Sequence, residues 1–249
     1  MFNRLMMFAL AVSMTGMTLA ATLFFAGDST LHPRRRQKTD KPAERVLGSW
    51  GDEVEDYVKQ GVVISNHAQS GASTLSFINS GRWKKLVGEL KPGDWVLIEF
   101  GHNDQKVGKK GYYTAADADF RDNLRMFAKD VRAKGANPVF ASPIVRRVLD
   151  KNGKVLDHKP NGGFHLYEYG EASRAVAKEL DIPFVDMNAL TKAAVESAGP
   201  EKSLMWYRAG LVPKSKDLSH PCLEGARTFA KLFVDDVKAR KLPVAELLK

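Results

Sequence analysis

A hydroxyl nucleophile, its general base and the carboxylate that orients the base are built from serine, histidine and aspartate. This chain offers them in two short segments far apart in sequence. Gly27-Asp28-Ser29-Thr30 follows a short apolar run that would carry the Ser29 hydroxyl to the rim of a sheet. Alone, Gly-Asp-Ser is turn chemistry, and its serine could equally cap a helix. Asp217-Leu218-Ser219-His220 stands just before a long helical pattern. Two intervening residues let Asp217 and His220 meet across one turn. The carboxylate would then accept the imidazole Nδ1–H and leave Nε2 free as a base near neutrality. Taken alone, Asp217 reads as a cap and His220 as a surface residue. Gly71 and Asn103 add two candidate donors for a developing oxyanion, a closely approachable backbone N–H and a side-chain amide.

These residues need a scaffold that gathers them. Apolar runs at Thr22 to Ala26, Gly61 to Ala68, Trp95 to Phe100, Asn137 to Ile144 and Ile182 to Met187 are strand candidates. They are continuous rather than alternating, which predicts a parallel sheet buried on both faces. Between them lie helical patterns at Asp117 to Lys134, His165 to Leu180, Ala189 to Ala198 and Leu223 to Arg240. The first carries Phe120, Leu124, Phe127, Ala128 and Val131 on one face and stops at Gly135. The last carries Ala226, Phe229, Ala230, Phe233 and Val237. Val148 to Leu156 reads as a hairpin around Asn152-Gly153. Alternating strands and helices predict an open α/β sheet, with chemistry beyond the carboxyl ends of its strands. That rule selects Gly27-Asp28-Ser29, Asn66 to Gly71, and Gly101 to Asp104.

At 249 residues, 44% hydrophobic and 27% charged, the chain suits one globular domain with a core of normal size. Residues 1–20 read as a signal peptide, with Arg4, an apolar stretch from Leu5 to Leu19, and Thr18-Leu19-Ala20 as the cleavage site. An uncleaved anchor is disfavoured, because the stretch is short and diluted by Ser13, Thr15, Gly16 and Thr18. The mature domain would be 21–249, secreted or periplasmic. Its formal charge falls from +9 to +8, since the leader contains one Arg and no acid. Basic pairs and triplets recur at Arg34-Arg35-Arg36, Lys84-Lys85, Lys109-Lys110 and Arg146-Arg147. For an exported protein they suggest an anionic polysaccharide rather than nucleic acid, although each cluster alone reads as a solvated surface. Cys222 is the sole cysteine. It excludes an internal disulfide and a cysteine zinc cluster, and it reads as a packed thiol.

The four segments in order resemble the SGNH (GDSL-type) hydrolase superfamily: Ser29 in Gly-Asp-Ser-Thr, Gly71 in Gln-Ser-Gly-Ala-Ser, Asn103 in Gly-His-Asn-Asp, and His220 in Asp-Leu-Ser-His. Within it, the chain is most similar to rhamnogalacturonan acetylesterases. Gly48-Ser49-Trp50-Gly51, Gly81-Arg82-Trp83, Phe100 to Lys106 and Glu224-Gly225-Ala226 share in this resemblance, which covers essentially the whole mature chain. The chain departs from the family pattern at Ser219-His220-Pro221-Cys222, where Thr-His and then Phe-Asn are more usual, and through Trp206 to Lys216. Neither departure removes a catalytic group; both bear on substrate preference. The resemblance implies a three-layer α/β/α sandwich with a mostly parallel five-stranded, flavodoxin-like sheet. It also implies a serine esterase without cofactor or metal. Ser29 would attack an acetyl ester, His220 would shuttle its proton, and Asp217 would hold His220. The N–H groups of Ser29 and Gly71, with the Asn103 amide, would bind the oxyanion. An acetylated, anionic plant polysaccharide is the implied partner. Acetylxylan, an envelope glycan or a small acetyl ester would be alternative substrates, and a non-catalytic polysaccharide-binding protein is the alternative of another class. His32, His67 and His102 read as scaffold. Trp206 and Tyr207 read either as sugar-stacking or as packing residues.

Overall fold

The computed structural model describes residues 21–35, 45–156 and 166–249. The signal-peptide reading of residues 1–20 and the start of the His165 helix lie outside them. Five strands form one sheet: β1 (Thr22–Gly27), β2 (Val63–Asn66), β3 (Trp95–Glu99), β4 (Asn137–Ala141) and β5 (Phe184–Val185). All pairings are parallel, in the order β2-β1-β3-β4-β5. This is the doubly wound order of flavodoxin-like folds.

Helices cover both faces, so the strands are apolar on both sides. Leu23, Phe25, Leu97 and Val139 face one layer, built from α1 (Trp50–Glu53), α6 (Met187–Leu204) and α8 (Leu223–Ala239). Phe24, Ala26, Val96, Ile98 and Phe140 face the other. That second layer contains α2 (Thr74–Asn79), α3 (Arg82–Glu89), α4 (Asp119–Ala133) and α5 (Leu166–Glu179). The expected stripes of α4 and α8 are buried against the sheet. Each fully buried Phe or Leu in them contributes roughly 1.5–3 kcal/mol.

The strand and helix boundaries differ from expectation for local reasons. The last strand keeps only Phe184–Val185. Upstream, the Ile182 N–H closes α5 onto Ala177 O; downstream, Asp186 already caps α6 by accepting from the Ala189 N–H. The same cap starts α6 at Met187 rather than Ala189, and its helical turns resume after a break at Gly199-Pro200. The short helices α1, α2, α3 and α7 (Arg208–Leu211) have no counterpart among the expected elements. The hairpin forms, with Leu149 bridged to Val155 and Gly153 at positive φ. Among the described residues, no helix is long and apolar enough to cross a membrane.

Candidate active site

The strand order reverses direction between β1 and β3, and the crevice there is where such sheets hold ligands. Ser29 enters it two residues beyond the end of β1. Gly27 makes the turn possible: a Cβ there would lie 2.5 Å from Leu31 Cδ1 and 2.8 Å from the Glu99 carbonyl. Asp28 then stabilises the turn, its Oδ1 accepting the Thr30 N–H at 2.9 Å.

The structure brings Ser29, His220 and Asp217 into one hydrogen-bonded chain. Ser29 Oγ lies 2.8 Å from His220 Nε2, and His220 Nδ1 lies 2.7 Å from Asp217 Oδ2. Asp217 Oδ1 also accepts the backbone N–H groups of Ser219 and His220, at 3.0 and 3.1 Å. Burial pushes the Asp217 carboxyl upward. Hydrogen bonding and charge from His220, with the two backbone donors, outweigh that and hold it well below the usual carboxylate range. Asp217 is therefore an anion aimed at the imidazole.

The poorly matching segment from Trp206 positions this pair. The Arg208 N–H donates to His220 O at 3.1 Å and the Ala209 N–H to Asp217 O at 3.0 Å. Tyr207 bridges Pro221, and Arg208 Nη1 lies 3.7 Å from Asp217 Oδ2. Trp206 and Tyr207 are themselves buried against Phe229, which removes the sugar-stacking reading and leaves packing. Cys222 is buried with its thiol on the Met205 carbonyl.

Gly71 sits at φ +79 in the turn after β2, a conformation in which a side chain would be strained. That turn is tied to the end of β1 by the Gln69 N–H on Gly27 O at 3.0 Å. Asn103 is buried beside it, its Nδ2 donating to Ala72 O at 2.8 Å while its Oδ1 accepts from Lys106 Nζ at 2.6 Å. These contacts fix the amide's orientation, and an amide nitrogen carries a second N–H.

Beneath the nucleophile lies a floor of ionisable groups; His102 in it reads as scaffold from the sequence, while the role of the carboxyls was missed by sequence reasoning. Asp28, Glu99, His102 and Asp104 are all buried. The Thr30 hydroxyl is within hydrogen-bond distance of both Asp28 Oδ1 (3.1 Å) and Glu99 Oε2 (2.9 Å). Burial raises Glu99 far above the carboxylate range, and repulsion from Asp28 adds to this. Burial also raises Asp28, against the hydrogen bonds from Thr30. Two buried carboxyls this close repel each other when both are ionised, which favours the protonated form. His102 is driven well below its ordinary value by burial and then by the Arg146 charge, so it is neutral. Potential ligand atoms of Asp28, Glu99 and His102 lie within 4.8 Å of one another, the grouping among the described residues with the reach to enclose a cation. Arg146, expected in a surface cluster, is instead half-buried here; it donates to Ser219 Oγ and, at 3.4 Å, to His102 O. Arg147 is equally inward, on Ser203 and Pro200. One signal for this floor was available: Asp28 and Glu99 are charged residues ending otherwise apolar runs.

His32 and His67 stay outside the hydrogen-bonded chain. His32 Nδ1 bonds Ala68 O at 2.9 Å, and His67 Nε2 meets Ser65 and Glu89. Beside the nucleophile turn is a cavity of about 410 Å³ bordered by Arg34, Arg35, Arg45, Arg227, Glu53 and Leu223. Its wall joins that turn through Ser49 Oγ on Leu31 O (2.8 Å) and joins the histidine segment through the Gly48 N–H on Pro221 O (2.9 Å).

Comparison with known proteins places this geometry in context. Residues 25–227 match the model of the GDSL-like lipase/acylhydrolase family. The rhamnogalacturonan acetylesterase RhgT of Bacillus subtilis (strain 168) is 37% identical over 234 residues, 91% of this chain and 93% of that protein. A rhamnogalacturonan acetylesterase of Emericella nidulans is 27% identical, over 96% of this chain and 93% of its own. Among solved structures, YxiM of Bacillus subtilis superposes with a TM-score of 0.72 at 26% identity. The match takes in 90% of this chain and 57% of that longer one. An acetylxylan esterase from Geobacillus stearothermophilus shares the fold, with a TM-score of 0.62 at 19% identity, covering 89% of this chain and 96% of its own.

Proposed function

The chain belongs to the GDSL-like lipase/acylhydrolase family and is a carboxylic ester hydrolase, and from that premise we propose that it is a serine esterase removing O-acetyl groups from rhamnogalacturonan. One observation carries the catalytic reading, the hydrogen-bonded chain from Ser29 Oγ through His220 to Asp217 at the carboxyl edge of the sheet.

In this reading Ser29 Oγ attacks the acetyl carbonyl carbon while His220 Nε2 takes its proton. The tetrahedral oxyanion is held by the N–H groups of Ser29 and Gly71 and by the Asn103 amide. His220 returns the proton to the departing sugar oxygen, leaving acetyl-Ser29. Water, deprotonated by His220, then releases acetate. Ionised Asp217 keeps the imidazole in the required tautomer and stabilises the imidazolium as it forms.

The substrate reading rests on the 37% identity to a rhamnogalacturonan acetylesterase and on the arginine-bordered cavity whose wall is hydrogen-bonded to the nucleophile turn. Four guanidiniums border that cavity against two acids, Asp52 and Glu53, with Glu53 paired to Arg35 and Arg227; the net positive balance suits the carboxylate of a uronic acid. An exported enzyme fits such a polymer, and residues 1–20 are proposed as its cleaved leader. Acetate release from acetylated rhamnogalacturonan, acetylated xylan and p-nitrophenyl acetate tests the proposal. The first should be favoured in kcat/KM, and Ser29→Ala should abolish all three. Strong preference for xylan would overturn the substrate; turnover surviving Ser29→Ala would overturn the mechanism.

A further inference from the structure

A second groove lies along the loop that follows Asn103, with a different electrostatic character. Its volume is about 420 Å³, and it lies between the loop after Asn103 and the start of α5. Seven large apolar side chains are exposed among the described residues, and three of them line this groove: Val107 (76% exposed), Tyr113 (39%) and Tyr167 (53%). Such gathering of exposed apolar surface marks a binding site more often than chance packing. Around them stand Asp117, Glu168 and Glu171, the last paired with Arg174 at 3.1 Å, and the guanidinium of Arg121.

Hydrogen bonds tie the groove's loop to the catalytic centre. Asp104 ties down the far end of the loop, accepting the Thr114 hydroxyl on its carboxylate at 2.9 Å and the Thr114 N–H on its carbonyl at 3.1 Å. Tyr169 OH adds a bond to Thr114 O at 2.7 Å. At the near end, Gln105 Nε2 donates to His102 O at 3.3 Å. Arg146 donates to that same carbonyl and also holds Ser219, next to His220. Lys106, between the groove and the site, is bonded to Asn103.

We propose that this groove is a subsite for a neutral sugar of the polymer, flanking the acetylated unit; the assignment rests on the esterase reading above. A pyranose has a C–H face that stacks on tyrosine rings, and its hydroxyls donate to carboxylates. The excess of acids disfavours a uronate here, whereas the arginine cavity favours one. Together the two cavities match a chain in which neutral and acidic sugars alternate.

The test compares wild type with the Tyr113→Ala/Tyr167→Ala double variant. The small ester p-nitrophenyl acetate, too short to reach the groove, is the internal reference. The ratio of kcat/KM on acetylated rhamnogalacturonan to that on the small ester should fall about tenfold, through KM. An unchanged ratio would overturn the subsite. If wild type releases no acetate from any polysaccharide, the esterase reading falls on its own, and a binding arm decides the groove. There, the Ser29→Ala protein is titrated calorimetrically with neutral rhamno-oligosaccharides and with oligogalacturonates. Neutral-sugar binding that disappears when Tyr113→Ala is added upholds the subsite. Oligogalacturonate binding that depends on Tyr113, or no neutral-sugar binding, overturns it.

Discussion

Single residues in this site act as a unit, and that is measurable. Ser29→Ala should lower kcat by about 10⁶ and leave the melting temperature nearly unchanged, because the hydroxyl's partner is the half-exposed His220. Adding His220→Ala should cost almost nothing more, since base and nucleophile serve one step. A large further loss in the double variant would break the assignment. Asn103→Ala should cost about 10²–10³ in kcat with little change in KM, the signature of a donor used only in the transition state. Equal loss in KM would make it a ground-state contact instead. These residues were legible because each sits in a short block at an element's edge, and four blocks in order are specific. Arg146 was not. Arg146 sits beside Arg147 in a basic pair that looks like surface, and only the packing of the loop after β4 against the 217–220 segment turns it inward. Trp206 and Tyr207 stayed open between stacking and packing for the converse reason: aromatic type says nothing about which side of α8 covers them.

At the scale of elements, strong periodicity was readable and short structure was not. The 15-residue α4 and 17-residue α8 present whole apolar stripes. The four residues of α1 cover barely one turn, too few for any period to emerge, yet its Trp50 N–H meets Thr30 O and so braces the nucleophile turn. That turn depends equally on what is missing at Gly27. Gly27→Ala would force its Cβ into the Glu99 carbonyl, which as backbone cannot swing aside. Overpacking of this kind costs about 1–3 kcal/mol. The strand end should shift, carrying Ser29 off His220, so kcat should fall by an order of magnitude or more. Thermal melting and steady-state kinetics check both parts. A variant that is destabilised yet fully active would show that the turn tolerates displacement.

Across the whole molecule, the basic surface predicted by composition encloses an acidic interior that composition conceals. Asp28, Glu99 and Asp104 lie within a chain of formal charge +9, and all three carboxyls are raised by burial. Asp104 is pushed up to about 6 from 3.8, in spite of hydrogen bonds from Thr74 and Thr114. The folded protein therefore keeps a proton that the unfolded chain releases between those values. Stability from this group is complete below about pH 4 and is lost as pH rises through 6, by about 3 kcal/mol in all. Carboxylates lowered by partners, Asp217 among them, work the other way, adding stability as pH rises through the unfolded carboxylate range of about 4, and they are common to wild type and variant. Asp104→Asn isolates the effect, since its amide oxygen can still accept from Thr74 and Thr114 while its charge never changes. Measured from pH 4.5 to 7, the melting temperature of the variant should rise relative to wild type, on the order of 5–10 °C across the range. A constant offset would mean that Asp104 stays ionised in the fold. In that case the proton at the centre of this site would belong wholly to the Asp28–Glu99 pair, and Glu99→Gln would be the variant that flattens the profile.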